Sequence, residues 1–374
     1  MARVIEESED VRSRTTPEQR GATFDDAAAA WLEYVQYEKR VKPTTLARYQ
    51  SMLRPPDKAK LPRTPKSGRN QPRSARIMRE FGGRKLTDIG VGDVRRWLSS
   101  LDREDISART VNVYRQVLHA IFEYAKREDS FGLRENPVAG TVKRPEEGDR
   151  PVETFEPEEV WAIAAAARSS LHRTRPRYGY SEATNAEWQR INDQDAALYI
   201  VAACTGMRLG ELCALRWADV DLKGGFIVVS RAMSAGQELS TKSRRMRPVP
   251  IAEQAKAELK RLAARESHTA RTDFVFCRPD GGSLDRTAVR KRFIKAQEEA
   301  GVRVRRFHDL RHTFGSLAIR EFDLVAIKNM MGHAKLSTTE RYLHTKPRPD
   351  DAAKLTDVFK DGKKEEKDDD TPST

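Results

Sequence analysis

The chain has 374 residues and a formal net charge of +13, from 69 Lys and Arg against 56 Asp and Glu. That surplus suits a polyanionic partner, although a basic balance also serves solubility alone. Its three cysteines (Cys204, Cys213, Cys277) form no CxxC pair, which excludes a disulfide scaffold or thiolate zinc site and indicates a reducing compartment. No long uncharged apolar run is present, so no membrane-spanning helix is expected. The opening MARVIEESEDVRSRTTPEQRG lacks the apolar stretch of a secretory signal.

Residues 1–22 are charged and aperiodic and read as a flexible lead-in. Phe24, Ala27, Ala28, Trp31, Leu32 and Val35 fall at helical spacing, with Thr23 as N-cap. A second helix is expected from Lys42 to Leu53, with Pro43 in the first turn, where its missing N–H costs nothing. Residues 54–76, rich in proline and positive charge, read as a long solvated loop. Helices are expected at Gly90–Leu101 and Ser107–Glu128. In the latter, Val111, Tyr114, Leu118, Ile121, Phe122 and Ala125 make the buried face, and Arg109, Asn112, Arg115 and Gln116 the other. These four helices define a small helical domain over residues 23–137.

Residues 138–154, with Pro, Gly and mixed charge, read as a linker. A second domain, 155–350, opens with a helix at Phe155-Glu156-Pro157. Residues 172–190 read as an insertion before a helix at Asp195–Thr205. GGFIVVSRAM is expected as a strand and ELSTKSRRMRPVPI as its partner. Helices follow at Ala252–Arg265 and Asp285–Ala300. The fold class is mainly α with a small β-sheet, an α+β second domain following a helical first one. In residues 351–374, Leu355, Val358 and Phe359 form one apolar stripe on a helix too short to stand alone. The tail from Asp361, mostly Lys, Asp and Glu, reads as disordered.

The chemistry-bearing residues concentrate between Arg305 and His344. His308 and Arg311 stand at i and i+3 and project from one helix face. Leu310, Phe314, Leu317 and Ala318 can anchor that helix. Leu324, Ile327, Met330 and Met331 form a second stripe, broken at Gly332 and followed by His333. Tyr342 comes nine residues later, in a segment compatible with another helix, and no tyrosine lies between Tyr199 and Tyr342. Upstream, Arg208 and Glu211 repeat the i, i+3 spacing. Taken singly, each histidine is most simply a hydrogen-bonded structural group. The joint arrangement carries the argument.

TGMRLGELCALRWADVDL, TKSRRMRPVPI, HDLRHTFGSLAI and MGHAKLSTTERYLH resemble, in order and spacing, the active-site blocks of the tyrosine recombinases, the phage integrase family. The resemblance spans roughly residues 23–350. It implies two domains forming a C-shaped clamp around DNA, with residues 23–137 as a core-binding, SAM-like domain and 155–350 as the catalytic domain. It implies Tyr342 as nucleophile, Arg208 and Arg311 as phosphate ligands, Lys242 as general acid, His308 as acid/base and His333 as a second phosphate-binding histidine. Glu211 would orient Arg208 or His308 from behind. DNA contacts are expected from Lys42, Thr44, Thr45, Arg48, Arg109, Asn112, Arg115 and Arg244, and subunit assembly from Leu355, Val358 and Phe359. The lead-in is short and poor in strand formers for the additional arm-site domain that phage integrases often carry.

Such chemistry has clear physical demands. A phenol is ionised only about one part in a thousand at neutral pH, so forming the phenolate in advance costs roughly 4 kcal/mol. Guanidinium stays charged and offers a planar fork to phosphate oxygens. No metal is expected, since the sequence shows no cluster of acidic residues for Mg²⁺, and no other cofactor such as ATP, since the phosphotyrosyl link conserves the phosphodiester energy. The expected partners are double-stranded DNA with attachment-type sites, a homotetramer in the synaptic complex, and a directionality factor or host DNA-bending protein. The expected setting is bacterial cytoplasm at the nucleoid, serving integration or excision of a phage or other mobile element. Two other readings stand beside this one, a type IB topoisomerase and a non-catalytic DNA-binding regulator.

Overall fold

The computed structural model describes residues 21–55, 75–146, 152–169, 172, 182–234, 236–240 and 246–343. The chain divides into two units, Met1–Arg150 and Pro151–Thr374. Among the described residues no helix is long and apolar enough to cross a membrane.

The first unit is helical: α1 (Phe24–Glu33, running into a π-helical turn at Tyr34–Glu38), α2 (Pro43–Met52), α3 (Arg76–Phe81), α4 (Val91–Arg103) and α5 (Ala108–Arg127). Thr23 caps α1 in a capping box, its backbone N–H donating to Asp26 Oδ2 at 2.9 Å. Pro43 opens α2 as expected. Where the sequence reading ended a loop at residue 76, a further helix begins. Although only six residues long, α3 buries Ile77, Met78 and Phe81. Phe81 packs between Phe24 (5.7 Å between ring centroids) and Trp97 (5.2 Å), so this short helix completes the aromatic core.

Residues 138–146, read as linker, lie against α5 in the same unit. Val138 is fully buried, and Asn112 and Arg115 hold the segment's backbone. The linker expectation rested on low apolar content, and this segment is held by the one buried apolar side chain of Val138 together with hydrogen bonds from α5.

The second unit contains α6 (Pro157–Arg168), α7 (Glu182–Thr205), the single turn α8 (Leu209–Leu212), strands β1 (Val220–Asp221), β2 (Phe226–Val229), β3 (Arg231–Ser234), β4 (Gln237–Ser240) and β5 (Arg247–Pro250), then α9 (Glu253–Ala263), α10 (Arg286–Glu299), α11 (Phe307–Ala318), α12 (Leu324–Met331) and the single turn α13 (Ser337–Glu340). Helix α7 starts well before Asp195, inside the stretch expected as an insertion. Its inward face carries buried Asn192 and Asp195, and the periodicity was hidden because polar residues occupy core positions there. Asp195 accepts from Arg292 at 2.7 and 3.0 Å and bonds His172 at 2.9 Å, which makes its burial tolerable.

The two expected strands pair as anticipated, but each is broken in two. β2 pairs antiparallel with β5 and β3 with β4, in sheets ordered β1-β2-β5 and β3-β4. Continuing the Val229↔Arg247 register would oppose Arg231 to Arg245, yet Arg231 pairs with Ser240. Lys242 and Arg244, between β4 and β5 in the chain, lie outside the described residues. Phe293 joins Tyr199, Phe307 and Phe155 in the core, and the Phe155 N–H donates to Thr313 Oγ1 at 2.8 Å, fastening the start of the unit to α11.

Candidate active site

Three segments build the site: the entry to α8, strand β5, and the run from α11 through Tyr342. Arg208 is the N-cap of α8 rather than a residue within a helix, and Glu211 three positions on closes a capping box with its backbone N–H at 2.8 Å. The Arg208 guanidinium donates to Glu211 Oε1 at 3.0 Å and to the Gly332 carbonyl at 3.1 Å, while its side chain stays 41% exposed. Arg311, on α11, is only 2% exposed and donates to the carbonyls of Gly206 (2.6 Å) and Met331 (2.5 Å). Burial first, then the Arg208 charge, lowers its pKa to about 9, so it remains a cation at neutral pH.

Glu211 is the buried carboxylate of the site. Burial pushes its pKa up, but hydrogen bonds and charge from Arg247, then Arg208, outweigh this and hold it below its ordinary value. Arg247 donates to both carboxylate oxygens, at 3.1 and 2.7 Å, and to the Met330 carbonyl at 2.9 Å. Glu211 thus holds Arg208 and Arg247. The sequence reading did not single out Arg247. Its position on β5, five residues after Lys242, was the available signal.

The histidines gather around Tyr342. His308 and His312 lie edge to face at 4.9 Å, and His312 Nδ1 is 2.9 Å from the Tyr342 hydroxyl. His333 stacks on the tyrosine ring (centroids 6.4 Å apart, 15° between planes) and bonds buried Thr339 at 2.9 Å through Nδ1. Desolvation is the largest cause in all three cases, lowering the pKa of His308 and His312 to about 4 and of His333 to about 3. For His308 this is crowding by protein and by the neighbouring His312, Arg311 and Arg208, since the residue keeps solvent exposure. At neutral pH the three rings are uncharged.

Tyr342 is 1% exposed, and burial raises its pKa. It sits not on a helix but on the turn that follows α13, its N–H donating to Thr339 at 3.0 Å. Its ring rests directly on α11 at Gly315, where an added Cβ would stand 2.6 Å from Cζ. His312 and Gly315, like Arg247, were not picked out from sequence as parts of the site.

Of the residues expected to touch DNA, Lys42, Thr44, Arg48 and Arg109 are exposed and Thr45 is half-buried. Asn112 and Arg115 are placed differently from that expectation. Asn112 is buried and exchanges hydrogen bonds with the Arg144 backbone (2.9 and 2.8 Å), and Arg115 donates to Thr141 Oγ1 (2.9 Å) and the Thr141 carbonyl (2.8 Å). Their polar groups satisfy the backbone of residues 138–146, a demand that spacing along one helix does not reveal. Leu355, Val358 and Phe359 lie outside the described residues.

Arg208 and Arg311, with three neutral imidazoles and a phenol, can grip a tetrahedral anion, take up or release protons, and supply an oxygen nucleophile. Comparison with known proteins agrees with that class. Residues 181–348 match the phage integrase family and residues 73–129 match the N-terminal SAM-like domain of phage integrases. The XerC-like tyrosine recombinase of Caldanaerobacter subterraneus subsp. tengcongensis is 26% identical over 314 residues, covering 75% of this chain and 74% of that protein. Tyrosine recombinase XerC of Oceanobacillus iheyensis is 26% identical over 329 residues, covering 84% and 90%. Among solved structures, the Tn1549 transposon integrase in complex with transposon right end DNA aligns with a TM-score of 0.63 at 17% identity, over 90% of this chain and 99% of that one. A lambda integrase dimer bound to a COC' core site gives 0.60 at 19% identity, over 86% and 96%. The chain belongs to the phage integrase family of tyrosine recombinases.

Proposed function

We propose that this protein is a site-specific recombinase that cuts and rejoins DNA strands through a 3′-phosphotyrosyl link at Tyr342. The observation that carries this reading is the seating of Tyr342 among His312, His333, Arg311 and Arg208. In the cleavage step the Tyr342 hydroxyl gives its proton to His308 as its oxygen bonds to phosphorus, the bond to the 5′ oxygen breaks, and that oxygen leaves with a proton from Lys242. Arg208 and Arg311 stabilise charge on the transferring phosphoryl group, and removing one such donor costs about 10²–10³ in rate. His308 and His333 flank the phosphate, neutral in the resting site and able to accept a proton. Glu211 stays behind Arg208, because a carboxylate facing the phosphate would oppose its binding. Tyr342 leaves its seat on Gly315 to reach DNA, since a group with 1% exposure cannot attack an external phosphate.

The DNA carries attachment-type sites belonging to a phage or other mobile element, both units contact the duplex, and four protomers form the synaptic complex. A lambda integrase tetramer bound to a Holliday junction, with a TM-score of 0.60, supports that assembly. A directionality factor or host DNA-bending protein sets the outcome, and the work takes place in the cytoplasm.

A suicide substrate carrying a nick beside the scissile phosphate tests the reading. Tyr342→Phe should bind the site and form no SDS-resistant adduct, and an adduct surviving in that variant overturns the assignment. On the same substrate Lys242→Ala should cleave slowly, with its rate restored when a 5′-bridging sulfur, which leaves without a proton, replaces the oxygen. Equal defects on both substrates would remove Lys242 from the acid role.

A further inference from the structure

The C-terminal end of α12 is held in an unusual way. Three consecutive carbonyls each accept from a different arginine: Met330 from Arg247 (2.9 Å), Met331 from Arg311 (2.5 Å) and Gly332 from Arg208 (3.1 Å). Helix C-termini present unsatisfied carbonyls and the negative end of the helix dipole, so cations are favoured there. Gly332 caps the helix at φ +64°, and an added Cβ would come within 3.0 Å of the Arg247 guanidinium. Glycine is required here both for the left-handed turn and for the approach of that side chain. The next residue is His333.

Two of these arginines are assigned to the phosphate. Arg247 has a different set of contacts: its fork is committed to Glu211 and Met330, and its side chain is 11% exposed. Glu211 in turn fixes Arg208. Arg247 therefore touches both the carboxylate orienting Arg208 and the turn presenting His333, with no part of its fork left for the phosphate.

We propose that Arg247 is a positioning residue for strand cleavage, locking the α12 C-terminus to Glu211 so that Arg208 and His333 address the same phosphate. This rests on the recombinase reading above. It adds a dependence: strand β5, which follows the segment bearing Lys242, is tied to the His333 turn, so the placement of one is felt by the other.

The test compares the parent chain with Arg247→Lys, Glu211→Gln, His333→Ala and the double variant Arg247→Lys/His333→Ala. Each is assayed for thermal midpoint, half-site affinity and single-turnover adduct formation on the nicked substrate. Arg247→Lys keeps a cation beside Glu211 but loses the fork. It should retain the parent's melting midpoint and half-site affinity while the cleavage rate of the bound complex falls by up to about 100-fold, the scale of a misplacement of about 1 Å. With His333→Ala the losses should be strongly non-additive, because both changes act through one turn. Glu211→Gln, which weakens the partner of the Arg247 fork, should show the same non-additivity when combined with His333→Ala, and that pair serves as the independent arm if Arg247→Lys does not fold. Multiplying losses, or a defect confined to DNA affinity, would overturn the proposal. A parent chain that forms no adduct would instead refute the recombinase reading.

Discussion

His312 illustrates how burial sets chemistry at a single residue. It is 7% exposed, its ring bonds the Tyr342 hydroxyl, and desolvation lowers its pKa to about 4 against an ordinary 6.5. Between those values the unfolded chain binds more protons than the folded one, so stability rises with pH across that window. The contribution is fully present above about pH 6.5 and is lost as pH falls toward 4; His333 acts in the same sense. Thermal midpoints should therefore be level above neutrality and fall on acidification. His312→Gln, which keeps a hydrogen-bonding partner for Tyr342 without a titrating ring, should show a shallower fall. A variant as acid-sensitive as the parent would mean that His312 does not carry this linkage. From sequence, His308, Arg311, His333 and Tyr342 were legible because their types and spacing match the chemistry. His312 and Arg247 were not, since nothing local distinguishes them from other histidines and arginines in a basic chain.

At the scale of elements, long helices with a continuous apolar stripe were readable to within a few residues, as α1, α4 and α5 illustrate. The elements missed or mis-started were those whose order comes from partners. Helix α3 is short and exists through burial of Phe81, and the start of α7 is masked by paired polar residues on its inward face. Helix α5 also corrects a functional expectation, because Asn112 and Arg115 hold residues 138–146. Asn112→Ala should destabilise the first unit by roughly 1–3 kcal/mol, the cost of leaving buried backbone groups unpaired. It should leave the salt dependence of DNA binding unchanged. A variant with parental stability and a reduced salt slope would return Asn112 to the DNA-facing set.

For the whole molecule, the +13 charge has meaning only through the partner that the family and site define. Each phosphate neutralised releases condensed counterions, so log affinity should fall with log salt at about −0.9 per contact. The full chain on its site should show a steep slope. Removing exposed Lys42 or Arg48 should lessen it by about 0.9 per true phosphate contact, nearly equally on specific and random DNA. Binding that hardly responds to salt would contradict an electrostatic groove built from these residues.

The sequence by itself pointed to the reaction class through four blocks that resemble those of the tyrosine recombinases, because the side chains that such cleavage needs are residue types spelled out along the chain. It also determined the helical first unit, because helix periodicity is a local property. What only the tertiary structure decided is how the site is held. Arg247 reaches Met330 across 83 positions and Arg208 reaches Gly332 across 124. Those contacts depend on where β5, α8 and α12 meet. Backbone carbonyls are their acceptors, and every residue carries one, so no residue type in the sequence marks where they will be used.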